Sequence, residues 1–356
     1  MRRIYLVRHG KPDIPQGERR YIGRTDVKLS TLGKLQAVLL GTLPALKKAN
    51  AVFCSPLSRS RETAQFLCPE PVVVEGLAEM SAGDWDGLGF DEVRERWPDL
   101  YAARGLAPNI PIPGAENVFE GQKRFEEAVR TCLDRSEGDI VIVAHITVNQ
   151  SLLCLAKGIP ADRCRGIKLP CGSYSVLDFD GNFHVIQEGV LPHPALDDAL
   201  CERLLDAAGA DDRLKAHCFA VADKAVSLCE ELNRAGCGFN GSLVCSAALL
   251  HDIARACPDH PGTGAAWLNE LGYNDAADVI RQHHDPDSTE INEAALVYMA
   301  DKLVQGSRSV TLEERFSASL AKCRDEEAVK ANRRRYETAK TIKNGINSLC
   351  GKELIV

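Results

Sequence analysis

The chain has 356 residues and a net charge of −7, and hydrophobic and charged residues make up 45% and 26% of it. This length fits about two domains. The composition excludes a chain that is disordered throughout, a collagen-like fibre and a coiled coil. The acidic balance argues against a protein that binds nucleic acid or a membrane surface. No segment has the length and apolarity of a membrane helix or a signal peptide, so we expect a cytoplasmic protein.

The fourteen cysteines are scattered along the chain, and no Cys-x-x-Cys pair occurs. This spacing argues against a zinc ribbon or a thioredoxin-like site. We therefore expect most of the cysteines to be reduced and to serve as small apolar core residues.

Short apolar runs alternate with helical patterns in the first half of the chain. The runs predict strands at residues 4–7, 51–54, 72–74, 140–144, 173–178 and 182–187. Apolar residues at helical spacing predict helices at 32–46, 59–67 and 116–135. Asp180-Gly181 joins the last two strands and is a hairpin signal. The alternation predicts an α/β domain, a mostly parallel sheet with helices on both faces.

The pattern changes after the proline-bounded segment 191–194. Beyond it only helical periodicity is found, with helices predicted at 199–207, 217–232, 243–255, 264–271, 276–283 and 293–305 and from 312 onward. We therefore predict an α/β domain over residues 1–190 and an all-α domain over residues 191–356.

Basic side chains follow three of the predicted parallel strands. Arg8 and His9 come directly after the first strand, Arg59 comes shortly after the second, and His145 follows the strand at 140–144. Open α/β sheets bind ligands at the carboxyl ends of their strands. Each histidine alone could equally be a satisfied core residue, but three basic groups at three strand ends favour an anion-binding site.

The same residues carry a family resemblance. The first half resembles the histidine phosphatase (phosphoglycerate mutase-like) superfamily over roughly residues 1–190. The resemblance rests on Arg8-His9-Gly10, Ser55-Pro56-Leu57-Ser58-Arg59, Leu77-Ala78-Glu79 and Val143-Ala144-His145. It implies that His9 is a nucleophile that becomes phosphohistidine without any metal or cofactor. It also implies that Arg8, Arg59 and His145 hold the phosphoryl oxygens and that Glu79 protonates the leaving oxygen.

Phosphoryl transfer needs these residue types. Its loose transition state spreads negative charge over the equatorial oxygens, so catalysis depends on cationic groups held in position. Arginines supply planar donor forks, a neutral histidine attacks in line, and a carboxyl group supplies the proton that the leaving alcohol needs.

Within the family the chain resembles phosphatases more than mutases, because little sequence lies between Glu79 and His145. The segment with Arg20, Gly23 and Arg24 resembles the substrate-facing segment of the α-ribazole phosphatase and sugar-phosphate phosphatase branches. Two positions depart from the family pattern. Arg19 occupies the place of a phosphate-contacting asparagine, and Ile146 the place of a glycine. A phosphoglycerate mutase-like isomerase is the alternative.

The second half contains a recurring set of histidines and aspartates. Nitrogen and oxygen donors without thiolates suit divalent Mn, Fe, Co or Mg. A buried carboxylate needs compensation, and a metal ion can provide it. The set comprises His217, His251, Asp252, His260, His283, His284 and Asp301.

This pattern resembles the HD-domain metal-dependent phosphohydrolases over roughly residues 200–310. The resemblance implies a core metal site of His217, His251, Asp252 and Asp301. It further implies that His260 and His283, with His284 as the less certain member, bind a second ion where two are present. The run Arg333-Arg334-Arg335 fits a solvated helix face, with a basic clamp for a phosphorylated substrate as the alternative.

The sequence thus predicts a two-domain phosphohydrolase that acts on small phosphorylated metabolites or nucleotides. The first domain is expected to hydrolyse phosphomonoesters through phosphohistidine. The second is expected to use one or two divalent ions to cleave a nucleotide-like phosphate ester or anhydride. The rival hypothesis is a phosphatase regulated by an HD domain that senses a nucleotide without hydrolysing it.

Overall fold

The computed structural model describes residues 1–15, 17–107 and 109–355. The chain divides into two compact units, Met1–Pro194 and Ala195–Val356. Within the described residues, every helix is too short or too polar to cross a membrane. All fourteen cysteines are free, as expected, although only seven are buried.

The first unit is built on a six-stranded sheet. Its strands are β1 (Arg2–Arg8), β2 (Ala51–Cys54), β3 (Val72–Val73), β4 (Ile140–Ala144), β5 (Tyr174–Phe179) and β6 (Phe183–Val190). They lie in the order β3-β2-β4-β1-β5-β6. The four strands from β3 to β1 pair in parallel, and β5 and β6 continue the sheet antiparallel. The predicted mostly parallel sheet is confirmed.

Helices cover both faces of this sheet. The helices of this unit are α1 (Thr31–Leu40), α2 (Pro44–Lys47), α3 (Ser58–Gln65), α4 (Phe90–Arg96), α5 (Pro98–Leu106), α6 (Val118–Asp134) and α7 (Ile146–Ala156). Of these, α4 and α5 pack in a separate apolar cluster around Trp85. Side chains alternate between faces along a strand. In β1, Ile4 and Leu6 accordingly join the core that contains residues of α6 and α7, whereas Tyr5 and Val7 join the core on the opposite face. The helix predicted at 32–46 is divided, because Pro44 begins a separate helix.

The second unit is helical apart from a short hairpin. Its helices are α8 (Asp198–Ala208), α9 (Asp212–Arg234), α10 (Gly241–Leu250), α11 (His260–Glu270), α12 (Asn274–Arg281), α13 (Glu293–Lys302), α14 (Leu312–Leu320) and α15 (Glu326–Cys350). The hairpin joins β7 (Val304–Gln305) to β8 (Arg308–Ser309) through Gly306, whose φ is +62°. The predicted helix 293–305 ends earlier, at Lys302, because Val304 and Gln305 instead pair as a strand with Ser309 and Arg308.

Polar caps explain where several of these helices begin. The side chains of Asp197 and Asp211 accept hydrogen bonds from the backbone N–H groups of Leu200 and Leu214 at the starts of α8 and α9. Such caps satisfy donors that a helix start leaves unpaired. Helix α10 ends at Leu250, so His251 and Asp252 lie in the turn that follows it.

Candidate functional site

The carboxyl ends of three parallel strands bring the first set of candidate residues to one edge of the sheet. The pairing of Val7 with Val143 and of Cys54 with Val143 aligns the ends of β1, β4 and β2. His9 follows β1 and His145 follows β4, and their ring centroids lie 5.0 Å apart. The residue after His9 must be a glycine, because a Cβ at position 10 would lie 2.2 Å from the carbonyl oxygen of Gly33.

His9 is buried and held in one tautomer. Its Nδ1 lies 2.6 Å from the carbonyl oxygen of Gly10, and a carbonyl only accepts, so Nδ1 carries the proton. The lone pair is therefore on Nε2. Burial, reinforced by the positive charges of Arg59 and Arg8, holds the pKa of His9 well below its usual value. His9 is thus a neutral imidazole with a nucleophilic Nε2.

Arg59 is 1% exposed and lies against this nitrogen. Its Nε donates to Nε2 of His9 at 3.2 Å, and its two terminal nitrogens donate to the carbonyl oxygens of Thr25 and Gly23 at 2.8 Å each. These carbonyls fix the guanidinium plane. Gly23 is required because its φ is +23° and a Cβ there would lie 2.0 Å from a side-chain oxygen of Asp86.

His145 is fully buried beside His9, and burial, reinforced by the positive charges of Arg59 and Arg8, lowers its pKa well below the usual value. Its Nε2 lies 2.7 Å from the hydroxyl of Ser55, while its Nδ1 has no hydrogen-bond partner among the described residues. Buried polar atoms are nearly always paired. The unpaired nitrogen therefore points to a ligand that satisfies it.

Glu79 is buried at the start of helix α7. Its carboxylate accepts hydrogen bonds from the backbone N–H groups of Met80 at 2.8 Å, Thr147 at 3.0 Å and Val148 at 3.3 Å. Helix starts favour carboxylates because their N–H groups are otherwise unpaired. These bonds fix the orientation of the carboxyl group.

A cavity of about 460 Å³ opens onto these groups. Arg8, His9, Arg59 and Glu79 line it, as do the predicted substrate-binding residues Arg20 and Gly23. His145 lies outside the lining. So does Arg24, whose guanidinium instead donates to the carbonyl oxygen of Glu79 at 3.1 Å and lies 3.4 Å from Glu116.

Three further arginines line this cavity, and two of them, Arg104 and Arg165, were not predicted from the sequence. Arg104 and Arg165 both line the cavity and lie close together, because the guanidinium of Arg165 is 3.4 Å from the backbone oxygen of Arg104. Burial and the charge of Arg165 lower the pKa of Arg104. Arg19 also lines the cavity and stacks on Phe90, 4.7 Å from the ring centroid. No local pattern identifies the pair at 104 and 165, because the fold brings them together from distant segments.

The second set of candidate residues converges within the second unit. His217 lies in α9 and Asp301 in α13, while His251 and Asp252 follow α10. His260 begins α11, and His283 and His284 follow α12. Two groups have donor atoms that all lie within 4.8 Å of one another: His217, His251 and Asp252, and His260, His283 and His284. These groups contain six of the seven predicted residues, and Asp301 joins them because its Oδ1 lies 3.4 Å from Nε2 of His217.

Backbone carbonyls fix the tautomers of three of these histidines. The Nδ1 atoms of His217, His251 and His283 lie 2.8, 2.7 and 2.6 Å from the carbonyl oxygens of Gly306, Ala248 and Ile280. Nδ1 of each therefore donates, and Nε2 holds the lone pair that a metal ligand needs. The Nε2 atoms of His251 and His283 are buried with no hydrogen-bond partner among the described residues.

Asp252 lies between the two groups. Its Oδ2 is 3.6 Å from Nε2 of His251, and its Oδ1 is 3.0 Å from Nε2 of His260 and 3.6 Å from Nε2 of His283. Burial alone would raise the pKa of this carboxyl, but the hydrogen bond with His260 and the nearby side chains of His283, His251 and Arg255 hold it well below its usual range. Asp252 is thus an ionised, nearly buried carboxylate that touches both groups.

Asp301 supplies the other carboxylate. Its Oδ1 lies 3.4 Å from Nε2 of His217, and its Oδ2 lies 2.7 Å from Nζ of Lys302. Burial opposes its ionisation, yet the charge of Lys302 holds its pKa well below the usual range. The sequence analysis missed Lys302, a buried cation that also donates to the carbonyl oxygen of His283 at 3.1 Å.

These observations fit a divalent metal centre. The donors are imidazole nitrogens and carboxylate oxygens, which suit Mn, Fe, Co or Mg. Burial lowers the pKa of His251 to about 4 and that of His284 to about 3, so both remain unprotonated, as metal ligands must be. Two buried nitrogens without partners have the lone pairs that such an ion would use.

Two known families match the two parts of the chain that contain these sites. A sequence model of the histidine phosphatase superfamily (branch 1) matches residues 4–189, and a model of the HD domain matches residues 214–305. The two domains are therefore fused in one chain.

Individual relatives match the first half. Phosphoserine phosphatase 1 of Hydrogenobacter thermophilus is 28% identical over 195 residues, which cover 52% of this chain and 90% of that protein. The bifunctional protein Rv2228c of Mycobacterium tuberculosis is 31% identical over 183 residues, which cover half of each chain. Among solved structures, Bacillus stearothermophilus YhfR is 32% identical with a TM-score of 0.49 and covers 52% of this chain and 96% of its own.

The first family model spans just over half of the 356 residues and contains His9, Arg59, Glu79 and His145. The chain belongs to the histidine phosphatase superfamily, and its second half carries an HD domain.

Proposed function

We propose that residues 1–190 form a phosphomonoesterase that works through phosphohistidine at His9 and requires no metal. The observation that carries the proposal is the state of the His9 ring. The carbonyl oxygen of Gly10 holds the proton on Nδ1, so Nε2 carries the lone pair. Nε of Arg59 lies 3.2 Å from this Nε2. A neutral nucleophile beside a fixed cation suits attack on a phosphoryl group.

The reaction takes place in two displacements. In the first, a bond forms between Nε2 of His9 and phosphorus, the bond from phosphorus to the ester oxygen breaks, and the Glu79 carboxyl gives its proton to the leaving oxygen. In the second, a water oxygen forms a bond to phosphorus, the bond from Nε2 of His9 to phosphorus breaks, Glu79 takes a proton from the water, and inorganic phosphate leaves. Arg8, Arg59 and the unpaired Nδ1 of His145 bind the phosphoryl oxygens, which stabilises the charge that develops on them.

We propose a small phosphorylated metabolite as the substrate of this site, such as a sugar phosphate or an α-ribazole phosphate-like nucleoside monophosphate. Arg19, Arg20, Arg104 and Arg165 line the cavity beyond His9. Arginines in that position favour a substrate with a second anionic group. They also leave open the alternative of a phosphoglycerate mutase-like isomerase, which needs to retain a bisphosphate.

The test is a turnover screen of phosphorylated metabolites with the full chain, with and without a chelator. Hydrolysis that survives chelation and disappears in His9→Ala supports the proposal. An acid-avoiding quench of the wild type is expected to trap phosphohistidine, and the variant to trap none. Phosphohistidine in His9→Ala would assign the nucleophile to another residue, and conversion of monophosphates to isomers without phosphate release would support the mutase.

We also propose that residues 191–356 hydrolyse a nucleotide-like phosphate ester or anhydride with one or two divalent ions. His217, His251, Asp252 and Asp301 would hold one ion, and His260, His283 and His284 would hold a second one that shares Asp252. Such ions polarise phosphoryl oxygens and lower the pKa of bound water. The residues themselves supply unprotonated nitrogens, two ionised carboxylates and a cation, Lys302, beside them.

The rival function is a nucleotide sensor that regulates the first domain. A His9→Ala background separates the two, because it removes monoester hydrolysis while leaving the second unit unchanged. Bound metal and nucleotide turnover are measured in that background with added Mn²⁺ or Co²⁺. The hydrolase is supported if this protein turns over a nucleotide and a further His251→Ala substitution abolishes that turnover. The sensor is supported if the protein binds a nucleotide tightly without turning it over.

A further inference from the structure

A second cavity, of about 420 Å³, opens in the second unit. Among the described residues, its lining includes no acidic side chain and five cationic ones: Arg255, Lys302, Arg315, Lys322 and Arg335. His284, a member of the candidate metal centre, lines it as well. The cavity therefore adjoins the metal centre.

The segment after the HD-matched residues supplies much of this lining. The HD model ends at residue 305, whereas Arg315 lies in α14, Lys322 follows α14, and Asn332 and Arg335 lie in α15. Arg315 reaches back to the metal centre, because its guanidinium lies 3.5 Å from Oδ1 of Asp301. Chain beyond the HD core thus extends the candidate site with positive charge.

Several of these cations already face carboxylates. Lys302 and Arg315 contact Asp301, Arg255 lies 3.5 Å from Asp252, and Arg335 forms a two-pronged ion pair with Asp285. Lys322 differs from them, because no acidic side chain within the described part of the chain pairs with it. Five cations against three carboxylates leave the cavity with an excess of positive charge.

Asn332 gives a second, independent observation. It is 9% exposed, lines the cavity, and its side chain has no hydrogen-bond partner in the described ranges. The Asn332 amide is not among the fully buried unpaired atoms of the described residues, so it reaches the cavity and is available to a bound group with acceptor atoms. An amide N–H₂ and several cations are donors, and together they suit an oxygen-rich anion.

We infer that this cavity binds a second phosphoryl group of the substrate that is cleaved at the metal centre. The inference rests on the proposed hydrolase function of the HD domain. It narrows the substrate class to molecules with at least two linked phosphates. One phosphate would lie at His284 and Asp301, and the next would be held by Lys322, Arg315 and Asn332. Phosphate oxygens accept several charge-assisted hydrogen bonds at once, which matches this set of donors.

The arginine run at 333–335 clarifies which side chains belong to the cavity. Arg335 lines it, whereas Arg334, the preceding residue, is exposed and lies outside the lining. The cavity position of Arg335 fits the basic clamp, whereas the exposed position of Arg334 fits the solvated helix face. Arg334→Gln removes one positive charge from α15 outside the cavity, so it is the control for a general change of charge in this segment.

The experiment compares inorganic tripolyphosphate with inorganic phosphate on the full chain. Binding is measured by titration calorimetry at constant ionic strength with Mn²⁺ present, and inhibition constants are measured against Mn²⁺-dependent hydrolysis of bis(p-nitrophenyl) phosphate. The proteins are wild type, Lys322→Gln, Asn332→Ser and Arg334→Gln. Anion binding at the His9 site is common to all four proteins and does not affect the comparison.

We expect tripolyphosphate to bind about fivefold or more weakly in Lys322→Gln and Asn332→Ser, since each loses a donor to the second phosphate. Inorganic phosphate is too small to span from the metal centre to the cavity, so its affinity is expected to change less than twofold. Every measurement with Arg334→Gln is likewise expected to stay within twofold of wild type. Tripolyphosphate binding within twofold of wild type in both test variants would overturn the inference even where turnover persists. Absence of Mn²⁺-dependent turnover in wild type would instead count against the hydrolase function, and the calorimetric comparison would still decide whether the cavity binds the second phosphate.

Discussion

The hydroxyl of Ser55 lies 2.7 Å from Nε2 of His145, at the point where β2 and β4 end side by side. Ser55 is fully buried, and its hydroxyl oxygen also accepts from the backbone N–H of Leu57 at 3.3 Å. The serine proton is therefore free to point toward the imidazole. In that arrangement Nδ1 of His145 carries a proton and is a donor for a phosphoryl oxygen.

Replacing Ser55 tests this relationship. Ser55→Ala removes the group that fixes the tautomer and orientation of His145, so we expect kcat for p-nitrophenyl phosphate to fall about tenfold to a hundredfold, as for second-sphere partners elsewhere. KM is expected to change little. Ser151→Ala, a buried serine in α7 whose hydroxyl donates only to the backbone oxygen of Val148, is the control. Equal loss of kcat in both variants would mean that the effect is one of general packing.

The pKa values of His9 and His145 lead to a prediction about stability. Both are well below the ordinary value near 6.5 because both rings are buried. Below pH 6.5 the unfolded chain therefore binds protons that the folded chain does not, and the free energy of unfolding falls as the pH falls. The slope is about 1.4 kcal/mol per pH unit for each histidine.

Urea unfolding at pH 7.0 and 5.5 measures this slope. Trp85 and Trp97 report on the first unit once Trp267 is replaced by Phe. His9→Gln in that background is expected to lose part of the pH dependence, because glutamine does not titrate. An unchanged difference between the two pH values would show that the folded chain protonates His9 near the ordinary pKa.

Short-range patterns were sufficient to predict the sheet and most of both sites. His9, Arg59 and His145 follow strands whose apolar runs are evident in the sequence, and the pairing of parallel strands then aligns them. His251-Asp252 was found although its helix was predicted to continue to residue 255. The apolar pattern extends through Ile253, whereas the backbone leaves the helix at Leu250.

Residues whose roles depend on tertiary contacts were not predicted. Lys302 is an ordinary helix residue in the sequence, and only the fold buries it against Asp301. Arg104 and Arg165 are 61 positions apart and meet at the first cavity. Arg24 shows the opposite error, because its motif was matched but its side chain is directed to Glu79 and Glu116 rather than into the cavity.

Arg104 and Arg165 in the lining of the first cavity lead to a prediction about substrate selection. Arg165→Ala is expected to raise KM about tenfold for a substrate with two anionic groups, since one charge-assisted contact is lost. KM for p-nitrophenyl phosphate, which has one, is expected to change less than twofold. Arg163→Ala, an exposed neighbour outside the cavity lining, is the control. Equal KM changes for both substrates would place Arg165 at the cleaved phosphate instead.

Asp252 provides the last prediction, because its two oxygens contact both groups of histidines in the second unit. Asn at this position keeps the size but removes the negative charge, so we expect the purified protein to lose at least one equivalent of bound Mn²⁺ and all metal-dependent turnover. Monoester hydrolysis at His9 is expected to be unchanged, since we propose that this site works without a metal. Asp278→Asn, an exposed carboxylate that pairs with Arg281 on α12, is the control. Full metal content in Asp252→Asn, measured by elemental analysis, would show that the remaining histidines and Asp301 bind the ions without a shared carboxylate.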